Sequence, residues 1–393
     1  MSTSGMEPQQ RPKPSLRPWV EWRAGRIDDP VGRLRYLQSA AARSEPTGGR
    51  GLKFESSNRT SRLGIRLLST LLVFTAASFF AVRAMVRVEP LPNYARRAQS
   101  PASRVEKLPY VWQVEAVKDS ETYSNGLRID NRYTVANHRR SYRVFPADGL
   151  QQTDPFSRSK PAGIVFHTTE SEQAPFESGH NRVLRQVGES LLEYVQRHRC
   201  YNFLIDRFGR VFRVVNESDA AEHAGYSVWS DEQWVYVNLN ESFLGVSFEA
   251  RTEPGQEEAS VSPAQVRAAA MLIEMLRCRF AISTANCVTH AQVSVNPSNM
   301  RIGYHTDWAS SFPFEALGLP NNYAQPIPAL LAFGFEADRE YRRVGGLRLS
   351  AGVDLAEERL RERAAERGLS TRAYRRQLQQ LYHERFHQPV ADE

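Results

Sequence analysis

Gly163-Ile-Val-Phe-His-Thr-Thr is the stretch that decides the fold of this 393-residue chain. Its first four residues read as a short apolar strand that ends on a histidine, His167. A second run, Asn286-Cys-Val-Thr-His-Ala-Gln, ends the same way at His290. Asp307 follows in Gly303-Tyr-His-Thr-Asp-Trp. Two histidines at strand ends and one aspartate make a His/His/Asp set suited to a single zinc ion. Such a set leaves a fourth position open for water, as hydrolytic zinc sites require.

Between the two histidines the chain alternates helix and strand signals. Leu184, Val187, Leu191 and Val195 recur at helical spacing within residues 181–199, predicting an amphipathic helix. Tyr201-Asn-Phe-Leu-Ile, Arg210-Val-Phe-Arg-Val-Val and Phe243-Leu-Gly-Val-Ser-Phe-Glu predict three strands, the first two joined by a turn over 206–209. Ser262 as N-cap, Pro263 at the first helical position and Gln265 three after the cap announce a second helix. Strands with intervening helices imply an α/β layer fold with a mixed sheet, and such sheets place their sites at strand ends. This domain is expected over 154–335. A small β element should precede it over 107–153, from Val111-Trp-Gln-Val-Glu-Ala-Val, a turn at Asn125-Gly126, Arg132-Tyr-Thr-Val and Ser141-Tyr-Arg-Val-Phe. A C-terminal helical extension should follow over 336–393. There, residues 354–367 and 370–387 read as two charged helices parted at Gly368, with Leu355, Leu360, Leu378, Leu381 and Phe386 as buried positions. Arginines and glutamates interleave in both, which argues against nucleic acid as a partner.

The formal charge of +7 and pI near 9.4 favour anionic partners. Most of that charge belongs to the N-terminal tail, because residues 1–66 hold 13 Lys or Arg against 6 Asp or Glu. Residues 1–61, rich in Pro, Arg, Ser and Gly, are expected to be a disordered basic tail. The 16 residues 67–82 carry no charge and lie between Arg66 and Arg83. With no polar stripe, they read as one transmembrane anchor within 62–87, extended by Leu63 to Ile65 and snorkelling arginines. Pro90, Pro92 and Pro101 mark 88–106 as a linker. The basic tail would remain in the cytoplasm, so the expected location is the cytoplasmic membrane, single-pass, with the larger C-terminal part on the external or periplasmic side. Cys200, Cys278 and Cys287 fit neither a disulfide framework nor a CxxC metal knuckle.

In order along the chain, Phe166-His-Thr-Thr, Tyr201-Asn-Phe-Leu-Ile, Phe208-Gly-Arg-Val, Glu222-His-Ala-Gly, Leu244-Gly-Val-Ser-Phe, Thr289-His290 and Thr306-Asp307 resemble the zinc-dependent N-acetylmuramoyl-L-alanine amidases. Those enzymes share a fold with the peptidoglycan recognition proteins. The resemblance covers roughly residues 160–320 and implies a central mixed sheet flanked by helices, with Zn2+ held by His167, His290 and Asp307. Asp307 stands 17 residues after His290 where the family spacing is about ten, and His305 occupies the place of the family's usual lysine. His305 is itself a competent zinc donor and competes with Asp307 as third ligand. For catalysis, one family branch has a glutamate base where this chain has Ser247. The other has a tyrosine at the position of Tyr201, so the resemblance implies Tyr201 and His305 as proton-handling groups, with Glu249 as the competing base. The substrate-binding groove is expected to involve His223, Thr168, Trp229 and Trp234. The function implied is hydrolysis of the amide joining N-acetylmuramic acid to L-alanine in peptidoglycan, by an enzyme tethered to the lipid bilayer through one helix. The alternative is a non-catalytic peptidoglycan-binding receptor using the same groove.

Overall fold

The computed structural model describes residues 110–147, 150 and 155–386. The expected tail, anchor and linker lie outside the described residues. Among the described residues no helix is long and apolar enough to cross a membrane.

Strands β1 (Gln113–Val117), β2 (Ser120–Tyr123) and β3 (Arg128–Asp130) form an antiparallel meander. Its second turn is the one expected at Asn125-Gly126, where Gly126 takes φ +88° and Tyr123 and Leu127 close the loop by a backbone hydrogen bond. Arg132-Tyr-Thr-Val contributes only an isolated bridge between Val135 and Val215. Then come β4 (Tyr142–Pro146), β5 (Phe156–Arg158), β6 (Gly163–Thr168) and helix α1 (Asn181–His198). Strands β7 (Phe203–Ile205), β8 (Val211–Arg213), β9 (Val228–Ser230) and β10 (Trp234–Val237) follow, then α2 (Leu239–Ser242), β11 (Phe243–Phe248) and α3 (Pro263–Phe280). β12 (Cys287–Thr289) runs straight into α4 (His290–Val293), and β13 (Val295–Asn296) pairs with β14 (Arg301–Ile302).

These strands build one mixed sheet in the order β1-β2-β3-β8-β7-β11-β6-β12 and a second, antiparallel sheet in the order β5-β4-β10-β9. The N-terminal strands are continuous with the rest, since β3 pairs with β8 and β4 with β10. At the centre β7, β11, β6 and β12 are parallel, so their C-terminal ends share one edge. Phe166, Phe203, Ile205, Val246 and Phe248 share one core with Leu272, Ile273 and Leu276 of α3. Leu204 and Phe212, from the same sheet, pack instead with Leu192 and Val195 of α1. The buried stripe of α1 is Leu184, Gly188, Leu192 and Val195, one step round from the positions the spacing suggested. α3 begins with the capping box read from Ser262 and Gln265.

Beyond β14 lie α5 (Pro328–Phe333), α6 (Arg339–Glu366) and α7 (Thr371–Phe386). α6 starts well before residue 354. Its first turns are capped by Asp338, which accepts the Tyr341 N–H, and a break at Gly346, φ +80°, separates them from the charged stretch. That glycine pair interrupts the helical pattern and concealed the early start. Leu360 and Leu378 are buried, whereas Leu355 is exposed. α7 lies against the domain through Phe386 on Phe145 and Tyr382 on Phe333 and Phe335.

Gly163 explains why the decisive strand opens on glycine. A Cβ there would stand 2.2 Å from the Phe243 ring and 2.5 Å from the Asn286 carbonyl oxygen, both part of the close-packed parallel core. Gly163→Ala is expected to lower the stability of the protein by about 1–3 kcal/mol through overpacking, read as a lower urea midpoint. An unchanged midpoint would mean that β6 and β11 can part there without cost.

Candidate metal centre

His167 is the fifth residue of the buried strand β6 and lies in register with Ser247 of β11. His290 opens α4 directly after β12, the parallel neighbour of β6 on the other side. The turn between β12 and α4 is fixed by Gln292, whose Oε1 accepts the Thr289 N–H and whose Nε2 donates to the Asn322 carbonyl. Parallel pairing therefore delivers both imidazoles to one sheet edge, their ring centroids 4.5 Å apart.

Asp307 reaches the same place from a longer path. The extra residues between His290 and Asp307 form the β13–β14 hairpin, which turns the chain back so that Gly303 N–H donates to the Ser294 carbonyl and His305 N–H to Ser294 Oγ. Just past Asp307, Trp308 and Ala309 occupy the left-handed region at φ +70° and +41°. Trp308 N–H is held by Thr252 Oγ1, which also contacts Thr168 Oγ1.

Three buried donors converge as a result. Asp307 Oδ2 lies 3.0 Å from His167 Nδ1 and 3.2 Å from His290 Nδ1, and Asp307 Oδ1 lies 3.1 Å from His290 Nδ1. Oδ1 is buried and makes no hydrogen bond. Burial alone would raise the Asp307 carboxyl, but the His290 and His167 rings outweigh it and hold the group well below its usual range. Two imidazole nitrogens and a carboxylate oxygen, with donor atoms within 4.8 Å of one another and an orphaned oxygen among them, fit a zinc ion. His305 takes a different place, with its ring stacked on His290 at 4.8 Å and 20° between planes. Tyr201 is half-buried, its ring 5.2 Å from that of His167.

The other expected site residues sit further from the three converging donors or behind them. His223 is buried behind His167, with its Nδ1 3.1 Å from His167 Nε2 and its Nε2 3.2 Å from the Phe243 carbonyl. Burial, reinforced by the neighbouring His167, Arg140 and His290, holds its pKa well below the ordinary histidine value. Trp229 is buried and its Nε1 donates to Asn286 Oδ1, so it packs between the sheets. Trp234 is on β10, covered by the Arg158 guanidinium at 4.3 Å and the edge of Phe156. Thr168 is buried, donates to Glu170 Oε1 and lies 3.1 Å from Thr252 Oγ1, the group that holds the Trp308 N–H. Glu249 is buried and accepts the Arg207 N–H, which ties it to the β7–β8 turn on the side of β11 away from β6. Burial raises its carboxyl above the usual range, against the pull of the Arg207 amide. Thr252, Gln292 and Ser294 were not singled out from the sequence. Small polar residues flanking a ligand are its only trace there.

Residues 157–307 match the family model described as N-acetylmuramoyl-L-alanine amidase, so the resemblance read from the sequence holds over that segment. No curated protein matches the chain. Among solved structures, AmiD from E. coli, in complex with the substrate anhydro-N-acetylmuramic acid-L-Ala-D-gamma-Glu-L-Lys, is 17% identical, covering 69% of this chain and 100% of that one, with a TM-score of 0.34. The amidase LysC from Clostridium intestinale URNW is 18% identical over 47% of this chain and 93% of that one, with a TM-score of 0.26. Drosophila peptidoglycan recognition protein SD is 19% identical over 35% and 73%, with a TM-score of 0.25.

The geometry gives different expectations for the two competing third ligands. Zinc content, measured by atomic absorption after equilibration and desalting, should fall to background in His290→Ala and Asp307→Ala and persist in His305→Ala. Loss of zinc from the His305 variant alone would reverse the assignment.

Proposed function

We propose that this chain is a zinc-dependent hydrolase of the amide bond between N-acetylmuramic acid and L-alanine in peptidoglycan. The observation that carries the reading is the buried convergence of His167, His290 and Asp307 around an orphaned carboxylate oxygen. The amidase family match over the segment that contains all three supports it. His167 Nδ1, His290 Nδ1 and Asp307 would hold the ion. When bound, zinc supplies a Lewis acid for the scissile carbonyl and makes a nucleophile of water at neutral pH.

The chain's own groups supply the rest. Tyr201, beside His167, donates its phenolic O–H to the oxygen on which negative charge develops. His305, half-buried against the His290 ring, takes a proton from the attacking water and gives it to the departing amine. Glu249 is less well placed as the base, because one of its oxygens accepts the Arg207 amide at the β7–β8 turn. The uncharged span 67–82 would tether the enzyme to the cytoplasmic membrane, with the domain on the external or periplasmic face where its polymeric substrate lies. One observation favours the receptor reading: Ser247, in register with His167, stands where a carboxylate base is used in one family branch.

The full chain, supplied with zinc and muropeptides, should release intact stem peptides beginning with L-alanine, detected by mass spectrometry. Tight binding without release would support the receptor instead. In an active preparation, Tyr201→Phe should lower kcat by about 100-fold, the usual loss for one oxyanion donor. KM should change little, because the interaction belongs to the transition state.

A further inference from the structure

We infer that His223 is a positioning residue that sets the imidazole tautomer of His167 and so turns the Nδ1 lone pair toward the metal position. The inference deepens the metal-site reading and rests on it for its consequence, though the proton arrangement can be read without metal.

The direction of each hydrogen bond follows from the end of the chain. The Phe243 carbonyl can only accept, so the nitrogen 3.2 Å from it, His223 Nε2, carries a hydrogen. In a neutral ring the other nitrogen, His223 Nδ1, is then the acceptor. His167 Nε2, 3.1 Å away, must donate into it. With its hydrogen committed at Nε2, neutral His167 offers a lone pair at Nδ1, 3.0 Å from Asp307 Oδ2. A lone pair facing a carboxylate at that distance calls for a cation between them.

The next residue treats the second ligand in the same way. His290 Nε2 lies 3.3 Å from the Ala224 carbonyl, which again can only accept, so His290 too presents Nδ1 to Asp307. One dipeptide therefore orients both imidazoles, His167 by a side chain and His290 by a main-chain oxygen. The dipeptide is itself fixed. Asn240 Oδ1 accepts the N–H groups of His223, Ala224 and Gly225 at 2.9, 2.6 and 3.3 Å. Gly245 makes room for the ring, since a Cβ there would stand 2.6 Å from His223 Cγ. Partners of this kind hold metal ligands in one orientation and commonly change affinity by about 10–100-fold when removed.

Two measurements on the full chain test this. In protein labelled with 15N-histidine, a coupling across the N–H···N bond should join His167 Nε2 and His223 Nδ1, with the proton on His167. A proton found on His223 Nδ1 would overturn the inference, whether or not zinc binds. In competition with a chelator, His223→Leu should weaken zinc binding by about 10–100-fold. His223→Gln, which keeps one acceptor and one donor, should recover most of the loss. Equal zinc affinity in wild type and both variants, even with lowered thermal stability, would reduce His223 to a packing residue. If the leucine variant does not fold, the glutamine variant and the coupling still decide. Failure of the wild type to bind zinc would defeat the metal reading, while the coupling would still report the proton arrangement.

Discussion

A carboxylate buried between two imidazoles is the constraint on which the rest of this structure depends. Asp307 has little exposure to water, and the Nδ1 atoms of His167 and His290 face its Oδ2 at 3.0 and 3.2 Å. A charge buried without a compensating partner costs roughly 3–5 kcal/mol, so the groups around this carboxylate must meet at one point. The fold must therefore hold three chain segments, far apart in sequence, in one register. β6 and β12 meet that demand by parallel pairing, in which Phe166 stands opposite Thr289 and each following histidine emerges at the same edge.

The third segment has no strand of the main sheet to hold it, and the C-terminal helices take that part. Tyr341, in the first turn of α6, donates its hydroxyl to the Ala291 carbonyl, next to His290. Its ring lies where any side chain at residue 303 would be, so Gly303 and Tyr341 close on each other just before Asp307. Ser310 Oγ, just after Asp307, donates to the Gly345 carbonyl and accepts the Leu349 N–H across the break in α6. The ligand loop is thus clamped on both sides by a helix that the sequence presents as an appendage. Charged residues dominate the outward surface of α6, while Tyr341, Leu349 and Val353 join the main core.

What was legible in the sequence follows from the range of the forces involved. Local signals were readable: the capping box at Ser262, the turn at Gly126, and the end of α1, where Arg199 takes the left-handed region at φ +52°. The group His167, His290 and Asp307 was readable because residue types suited to zinc recur in a recognisable order. Long-range assignments were not. Whether Trp229 faces a groove or Asn286 depends on how the second sheet lies on the first, and no periodicity encodes that. His223 is the clearest instance. A histidine in a loop motif looks like a groove residue until the β11 strand is seen to pass beneath it with a glycine at the point of contact. The displaced spacing of Asp307 looked like a weakness of the ligand set. The β13–β14 hairpin accounts for the added length without moving the carboxylate away.

Ser247 bears on which groups can carry protons at this centre. In the parallel register Ser247 stands beside His167, and its hydroxyl is buried without a hydrogen-bond partner. A carboxylate at that position would add a second negative charge next to Asp307, and each would raise the other's pKa. Burial would raise the Asp307 carboxyl, but His290 and His167 hold it well below its usual range. Glu249, the other carboxylate on β11, is held by the Arg207 amide at the β7–β8 turn. In the proposed reaction, proton transfer would fall to the groups that flank the histidines and are half-buried, Tyr201 beside His167 and His305 against His290. Serine at 247 and a ring on either side of the histidine pair belong to the same arrangement around Asp307.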